Sequence, residues 1–238
     1  VSQYAINIVT WFGLGVAMRW RACRHEPYRD GVWCLLELYE QIKALGANDI
    51  RYLDIGGGFA VTYDDEQPMD LDALAAALLP RIQKSGLSLI VEPGRYIVGN
   101  AGVLLARVMH RKKAGGKEYI ITDAGMNDLV RPSHYDAYHA IEAVQARTER
   151  SVVDVVGPVC ESGDFFALDR EVEDVDAGDL VVVRTTGAYG YVMSFNYNSR
   201  PRVAEVLVDG DRFAVVTRRE SYEDLVRLEP QQLDWRTD

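Results

Sequence analysis

The sequence predicts an α/β region followed by an all-β region, with a boundary near residue 108. Three observations carry that reading. Between residues 27 and 108, helical apolar periodicity alternates with short apolar runs, which is the rhythm of parallel βα units. After Val108 the β-branched runs follow one another with no helix between them. And 48% of the 238 residues are apolar, enough for a sizeable core, with no internal repeat or low-complexity segment.

The elements can be justified in order. Residues 1–18, VSQYAINIVTWFGLGVAM, carry no charge. A membrane span needs about twenty mostly apolar residues, and Ser2, Gln3, Asn7 and Thr10 dilute this stretch. With no basic leader or small-residue cleavage site, it reads as buried strands of a soluble domain. From Pro27 to Leu45, Val32, Leu35, Leu36, Tyr39, Ile42 and Leu45 recur at three- and four-residue steps, with Pro27 in the first turn and Gly46 past the end. IRYLDI (50–55) is a strand that stops at Gly56-Gly57-Gly58. Asp70 caps a second helix, with Leu71, Leu74, Leu78 and Ile82 on one face and Gly86 at its end. LSLIVE (87–92) reads as a strand buried on both faces, and a short helix is expected near Ala101–Val108. In the second region the predicted strands are EYIITDA (118–124), VVDVVG (152–157), DLVVVRTT (179–186), VAEVLVDG (203–210) and DRFAVVTRR (211–219). Asp209-Gly210 is a hairpin turn joining the last two. Ser221, with Asp224 three residues on, starts a closing helix.

The formal net charge of −10 argues against nucleic-acid binding, which rests on clustered Lys and Arg. Three unevenly spaced cysteines, Cys23, Cys34 and Cys160, do not make a disulfide framework and fit a reduced, cytoplasmic setting. The four histidines are scattered and no Cys/His group has zinc spacing, so no metal is expected.

Three places have chemical potential. Gly56-Gly57-Gly58 directly follows a strand; bare N–H groups there suit a phosphate, although the same run also makes an ordinary tight βα turn. In VEPGR (91–95), Glu92 ends an apolar strand and is expected to be poorly solvated. Arg95 either pairs with Glu92 internally or grips an anion while Glu92 holds a protonated ring nitrogen. Together these turns point to a phosphorylated heteroaromatic cofactor at strand ends. In VVGPVCESGDFF (155–166), turn residues flank Cys160 and Glu161, setting a thiol beside a carboxylate on a short loop.

VEPGRYIVGNAGVLLARV (91–108), TDAGMNDLVRPSHYDAYH (122–139), VVGPVCESGD (155–164) and GAYGYVMSFNYNSRPRVAEVLVDG (187–210) resemble the diaminopimelate decarboxylase family, over roughly residues 27–228. That family belongs with the class-II ornithine, lysine and arginine decarboxylases. The resemblance implies the C-terminal half of an alanine-racemase-type (β/α)8 TIM barrel in residues 1–108, followed by a C-terminal β-sandwich or barrel domain in residues 109–238. It implies a pyridoxal 5'-phosphate enzyme of lysine biosynthesis that converts meso-2,6-diaminopimelate to L-lysine and CO2.

By the same resemblance Gly56, Gly57, Gly58, Glu92, Pro93, Gly94, Arg95 and Tyr189 bind the cofactor, with Gly58 at the phosphate and Glu92 at the pyridine nitrogen. Arg95, Arg131, Tyr135, Glu161 and Tyr189 bind substrate; Arg95, Arg131 and Tyr135 take its carboxylate, and Glu161 takes the distal ammonium. Cys160 is the proton donor: loss of CO2 leaves a carbon to be reprotonated on one face, and an ordinary thiol, with a pKa of about 8.5, is mostly protonated at neutral pH. The family's Cys-Glu pair reaches into the other subunit's active site, which implies a homodimer. His134 and His139 are read as structural.

The sequence also departs from the family. Its members are much longer and bind the cofactor covalently through a lysine on an early barrel strand. The lysines here are Lys43, Lys84, Lys112, Lys113 and Lys117: the first two are expected on a helix and at a helix end, the others in a loop around Gly115-Gly116. Where the family has His-Gly-Ser, VAMRWRACRHE (16–26) stands instead, as a reading-frame slip or an internal start would produce. The expectations are therefore a chain lacking its N-terminal part, inactive alone, with a well-formed β domain and a poorly folded half barrel. Two alternatives remain: a non-catalytic homologue that pairs with a full-length subunit, and a sister decarboxylase for another basic amino acid or polyamine precursor.

Overall fold

The computed structural model describes residues 4–9, 13–18, 25–46 and 48–236. The chain divides into two compact units, Val1–Gly102 and Val103–Asp238.

In the first unit, β1 (Tyr4–Val9) and β2 (Gly13–Met18) pair antiparallel, Tyr4 opposite Met18. The strands expected in residues 1–18 are thus present; their burial, and the whole RWRACR stretch at 19–24, lie outside the described residues. From β2 onward the pairing is parallel, through β3 (Tyr52–Asp54) to β4 (Ser88–Ile90), giving a four-stranded sheet in chain order. Helix α1 (Glu26–Ala44) links β2 to β3, and α2 (Leu71–Ser85) links β3 to β4, the right length of connection for parallel neighbours.

The apolar spacing of both helices becomes core. Tyr28, Val32, Leu35, Leu36 and Tyr39 of α1 pack with Leu74, Leu78 and Ile82 of α2 and with Leu53 and Ile55. Each such leucine or isoleucine contributes about 1.5–3 kcal/mol by leaving water. The Asp70 carboxylate accepts from the Ala73 N–H at 3.0 Å, and Gly86, at φ 76°, closes α2. Leu45 departs from the expected apolar face: α1 ends one residue earlier, and Leu45 is 87% exposed.

Two further expectations fail in this unit. LSLIVE is not buried on both faces. β4 is the last strand of its sheet, and among the described residues no further strand pairs with it, which leaves Leu89, Ile90 and Val91 36%, 40% and 43% exposed. Nor is there a helix at residues 101–108. After β4 comes a short helix α3 (Gly94–Val98), and β5 then runs Leu104–Ala114. Leu104 to Val108 read as helical by spacing, but in β5 they alternate, with Ala106 and Val108 buried and Leu105 and Arg107 outward. The division between the units therefore falls before β5, earlier than residue 108.

The second unit is a six-stranded sheet in the order β7-β10-β5-β6-β8-β9. Its members, besides β5, are β6 (Lys117–Thr122), β7 (Ile141–Ala143), β8 (Arg150–Val156), β9 (Phe165–Glu173) and β10 (Leu180–Val183). Of these, β7 and β9 escaped the sequence reading, β7 because it has three residues and β9 because its charges mask the alternation. Lys112, Lys113 and Lys117 lie on β5 and β6 rather than in a loop; only Gly115-Gly116 forms the turn. The sheet curls until its edges meet, where the Ala143 N–H of β7 donates to the Glu173 carboxylate of β9 at 2.6 Å. Inside lie Val108, Ile120, Leu129, Val153, Val155, Phe166, Val172, Val181 and Val183.

One pairing positions the functional loops. β6 and β8 are parallel neighbours, Ile121 opposite Val156, so the loops leaving their C-terminal ends start side by side. The crossover between them carries a short helix, α4 (Arg131–Tyr135), which the all-β expectation did not include. Beyond the sheet, β11 (Glu205–Asp209) and β12 (Arg212–Thr217) form a hairpin. Its two-residue loop is Gly210-Asp211, with glycine first at φ 63°, one residue later than expected. Ser221 and Asp224 make the predicted capping box at the start of α5 (Tyr222–Val226).

Candidate functional site

Each unit holds its own cluster of candidate groups. In the first, the chain leaves β3 and turns through Gly56 (φ 69°) and Gly58 (φ 88°), left-handed positions that glycine adopts without strain. The Asp54 carboxylate accepts from the Gly56 N–H at 2.8 Å, and the Gly57 carbonyl accepts from the Tyr28 hydroxyl at 2.8 Å. A side chain at Gly57 would put its Cβ 2.3 Å from the Glu92 carbonyl oxygen, so glycine is what lets the two strand ends touch. The Glu92 N–H donates to the Gly56 carbonyl at 2.8 Å, which joins the glycine turn to Glu92-Pro93-Gly94-Arg95. Burial pushes the Tyr28 hydroxyl well above the usual phenol range, with the nearby Arg95 charge acting against it.

Glu92 does not have the poorly solvated setting expected of it. It lies exposed past the end of the uncovered β4, and it makes no ion pair with Arg95. The residues here fit a phosphorylated, ring-nitrogen cofactor. Among the described residues the N–H groups of Gly57 and Gly58 donate to nothing, and the space where Gly94 would bear a Cβ is open to 4 Å. Arg95 supplies a cation and Glu92 an anion from the same turn. The described lysines stand elsewhere: Lys43 lies 5.7 Å from the Tyr39 ring on α1, Lys84 is in the last turn of α2, and three belong to the β5–β6 hairpin.

The second cluster grows from the paired loops after β6 and β8. Cys160 and Glu161 stand on the loop after β8, where turn chemistry placed them, and both are exposed. What holds that loop is Asp164. Its carboxylate, 5% exposed, accepts from the Met126 N–H of the neighbouring loop at 2.6 Å and from the Val159 N–H of its own. Burial raises its pKa, and those two N–H groups pull the other way. The packing leaves no room for side chains: a Cβ at Gly157 would stand 2.4 Å from Asp164 Oδ1, and one at Gly125 would stand 2.8 Å from it.

The loop after β6 is fixed in turn. The Asp128 carboxylate, pushed up by burial, accepts from the Gly125 N–H at 3.0 Å. Arg200 donates from Nε to the Asn127 side-chain oxygen at 2.9 Å and from Nη2 to the Asp123 carbonyl at 2.6 Å. The Phe195 N–H donates to the Asn127 carbonyl at 3.0 Å, and from the same segment the Tyr197 hydroxyl reaches the Glu161 carboxylate at 3.2 Å. That carboxylate raises the Tyr197 pKa, first through the hydrogen bond and then through its charge.

Arg131 begins α4 and is buried; its guanidinium lies 5.7 Å from the Tyr189 ring. Tyr189 itself has φ 62°, strained for an aromatic residue, and is 45% exposed. Tyr135 stands one helical turn after Arg131, exposed, with its ring edge-on to His134 at 4.5 Å. The Cys160 loop ends against α4, since a Cβ at Gly163 would be 3.5 Å from Ser133 Cβ. Thus Arg131, Tyr135, Tyr189, Cys160 and Glu161 belong to one unit, and Gly56–Gly58 with Glu92–Arg95 to the other. A cleft of about 610 Å³ near Lys113, Gly115, Lys117, Asp154 and Asp169 contains none of them.

Residues 28–187 match the family model of the pyridoxal-dependent decarboxylases, C-terminal sheet domain. The chain belongs to that family. Among family relatives, the diaminopimelate decarboxylase of Aquifex aeolicus is 48% identical over 204 residues, covering 84% of this chain and 48% of its own length. The crystal structure of the Helicobacter pylori diaminopimelate decarboxylase complexed with L-lysine superposes with a TM-score of 0.83 at 39% identity, over 91% of this chain and 53% of that one. The lysine/ornithine decarboxylase of Vibrio vulnificus complexed with cadaverine is more distant, with a TM-score of 0.69 at 25% identity over 78% of this chain and 50% of that one. The chain spans about half the length of the curated relatives it matches.

Sequence reasoning passed over Asp164, Asn127, Arg200 and Tyr197, and read His139 as structural. All five lie inside stretches already singled out, and an aspartate after Ser-Gly was the available signal for the first.

Proposed function

We propose that this chain is a diaminopimelate decarboxylase polypeptide, acting with pyridoxal 5'-phosphate on meso-2,6-diaminopimelate to give L-lysine and CO2. The observation that carries the reading is the second cluster. A thiol and a carboxylate stand exposed on one loop, braced by the buried Asp164, against the helix that begins with Arg131. A substrate with a carboxylate at one end and an ammonium at the other needs a cation and an anion held apart on rigid supports, which Arg131 and Glu161 supply.

In this reading Gly56, Gly57, Gly58, Pro93, Gly94 and Arg95 hold the cofactor phosphate side, and Glu92 faces the ring nitrogen. Tyr189 contacts cofactor and substrate. The cofactor, when bound, supplies the electron sink that makes loss of CO2 possible. Arg95, Arg131 and Tyr135 take substrate carboxylate, Glu161 the distal ammonium, and Cys160 Sγ delivers the proton to the carbon that has lost CO2. The working assembly is a cytoplasmic homodimer in which the Cys160–Glu161 pair serves the partner's centre.

The position of the lysines favours a second reading, in which the chain is a non-catalytic partner of a full-length subunit, since none of the described ones is in the glycine-turn cluster. The greater identity to diaminopimelate decarboxylases, set against 25% to the lysine/ornithine enzyme, speaks against a sister specificity.

The test mixes this chain, with pyridoxal phosphate and meso-diaminopimelate, with a full-length diaminopimelate decarboxylase whose own matching cysteine is alanine. L-lysine formation is expected to recover, and to stay absent when the added chain bears Cys160→Ala. Recovery by both chains, or by neither, contradicts Cys160 as proton donor. A chain that instead lowers the activity of an intact full-length enzyme supports the second reading.

A further inference from the structure

We propose that His139 is the positioning residue for the Arg131 guanidinium, and through it for a substrate carboxylate; the second half rests on the reading of Arg131 as carboxylate ligand. His139 is fully buried. Its ring is held between two groups whose hydrogen-bonding roles are fixed. Nδ1 lies 2.8 Å from the Arg184 carbonyl oxygen, which only accepts, so Nδ1 carries the proton. Nε2 lies 3.2 Å from Arg131 Nη1, which only donates, so Nε2 presents its lone pair. The imidazole is therefore neutral and in one tautomer.

Arg184 and the His139 backbone are both anchored. The Arg184 N–H donates to the Ala140 carbonyl at 2.8 Å, extending the β7–β10 ladder past its last pair, Val183 with Ile141. The Arg184 side chain is clamped by Glu142, with Nε at 2.8 Å and Nη2 at 2.6 Å. The His139 carbonyl accepts from Arg170 Nη1 at 3.1 Å, and Arg170 stacks 4.0 Å from the Tyr138 ring. An imidazole lone pair orients a guanidinium without cancelling its charge, as a carboxylate in the same place would. With the Tyr189 ring also against it, Arg131 is aimed by a neutral acceptor and an aromatic face.

The test has two arms. Nitrogen-15 NMR of the wild-type chain at neutral pH should show His139 protonated at Nδ1 alone, with the Arg131 Nη hydrogens resolved by restricted rotation. Those hydrogens should stay resolved in His139→Gln, whose amide oxygen can replace Nε2, and collapse in His139→Leu. In parallel, calorimetric titration with L-lysine should give an affinity within about threefold of wild type for His139→Gln and weaker by about tenfold or more for His139→Leu. A doubly protonated or Nε2–H ring in the wild type overturns the proposal even if the leucine variant does not fold. So does equal L-lysine affinity in the two variants. The expected NMR pattern without any L-lysine binding by wild type leaves the positioning contact standing and removes the carboxylate role of Arg131.

Discussion

The two units use similar β-branched and apolar runs to different ends. In the second, VVDVV and LVVV become strands of a sheet whose first and last members meet through Ala143 and Glu173, and their inward residues vanish from solvent. In the first, SLI, with two apolar residues of three, is a strand at the end of an open sheet, and its residues stay in water. Local composition specifies extended backbone; only neighbours decide burial. The same contrast runs through the candidate chemistry. Asp164, inside the closed unit, is buried with both carboxylate oxygens committed, whereas Glu92, on the open one, is exposed.

The contrast can be broken first at the core of the closed unit. Phe166, fully enclosed, should cost about 3–5 kcal/mol on replacement by alanine, seen as a lowered denaturant midpoint with loss of the near-ultraviolet signal. A cost below about 1 kcal/mol would mean that the curled sheet is not the stabilising core described. Hydrogen exchange sharpens the comparison. Amides of β8, interior to its sheet, should exchange about a hundredfold or more slowly than those of β4, at the end of its own. Equal protection would contradict the open edge.

How much of this was legible beforehand divides along the same line. Helix α1, the capped helix α2, the parallel strands between them and the hairpin at Gly210 were readable because spacing, Asp70, Gly86 and Asp209-Gly210 are local signals. The exposure of LSLIVE was not, because nothing within six residues states what lies across a strand. Leu104–Val108 fit a helix and a strand equally by pattern, and pairing with β10 and β6 decided between them. At the site, the Cys160–Glu161 loop and the glycine turn were visible as turn chemistry. Asp164 was not singled out and His139 was read only as structural, since their roles depend on partners at Met126 and Arg184, far along the chain.

A smaller effect tests the brace itself. Asp164→Asn replaces one of two acceptor oxygens by a donor that faces a backbone N–H, and should cost about 1–3 kcal/mol with faster alkylation of Cys160. Its pH dependence has a definite sign. Because burial raises the Asp164 pKa in the folded chain, the stability it contributes is fully present below the ordinary carboxylate value, about 3.9, and is lost as pH rises through the raised value. The deficit of the asparagine variant should therefore shrink as pH rises above the ordinary carboxylate value; a deficit that grows with rising pH would reverse the assignment of burial as the dominant cause.

Glu161 meeting a distal ammonium is the contact on which the proposed substrate rests most directly. Calorimetric titration of the chain with meso-diaminopimelate, repeated for Glu161→Gln and with 2-aminopimelate as the ligand lacking only that ammonium, measures it. The prediction is binding by the wild-type chain that weakens about tenfold or more on either change. Equal affinity in the glutamine variant, or for 2-aminopimelate, would contradict it.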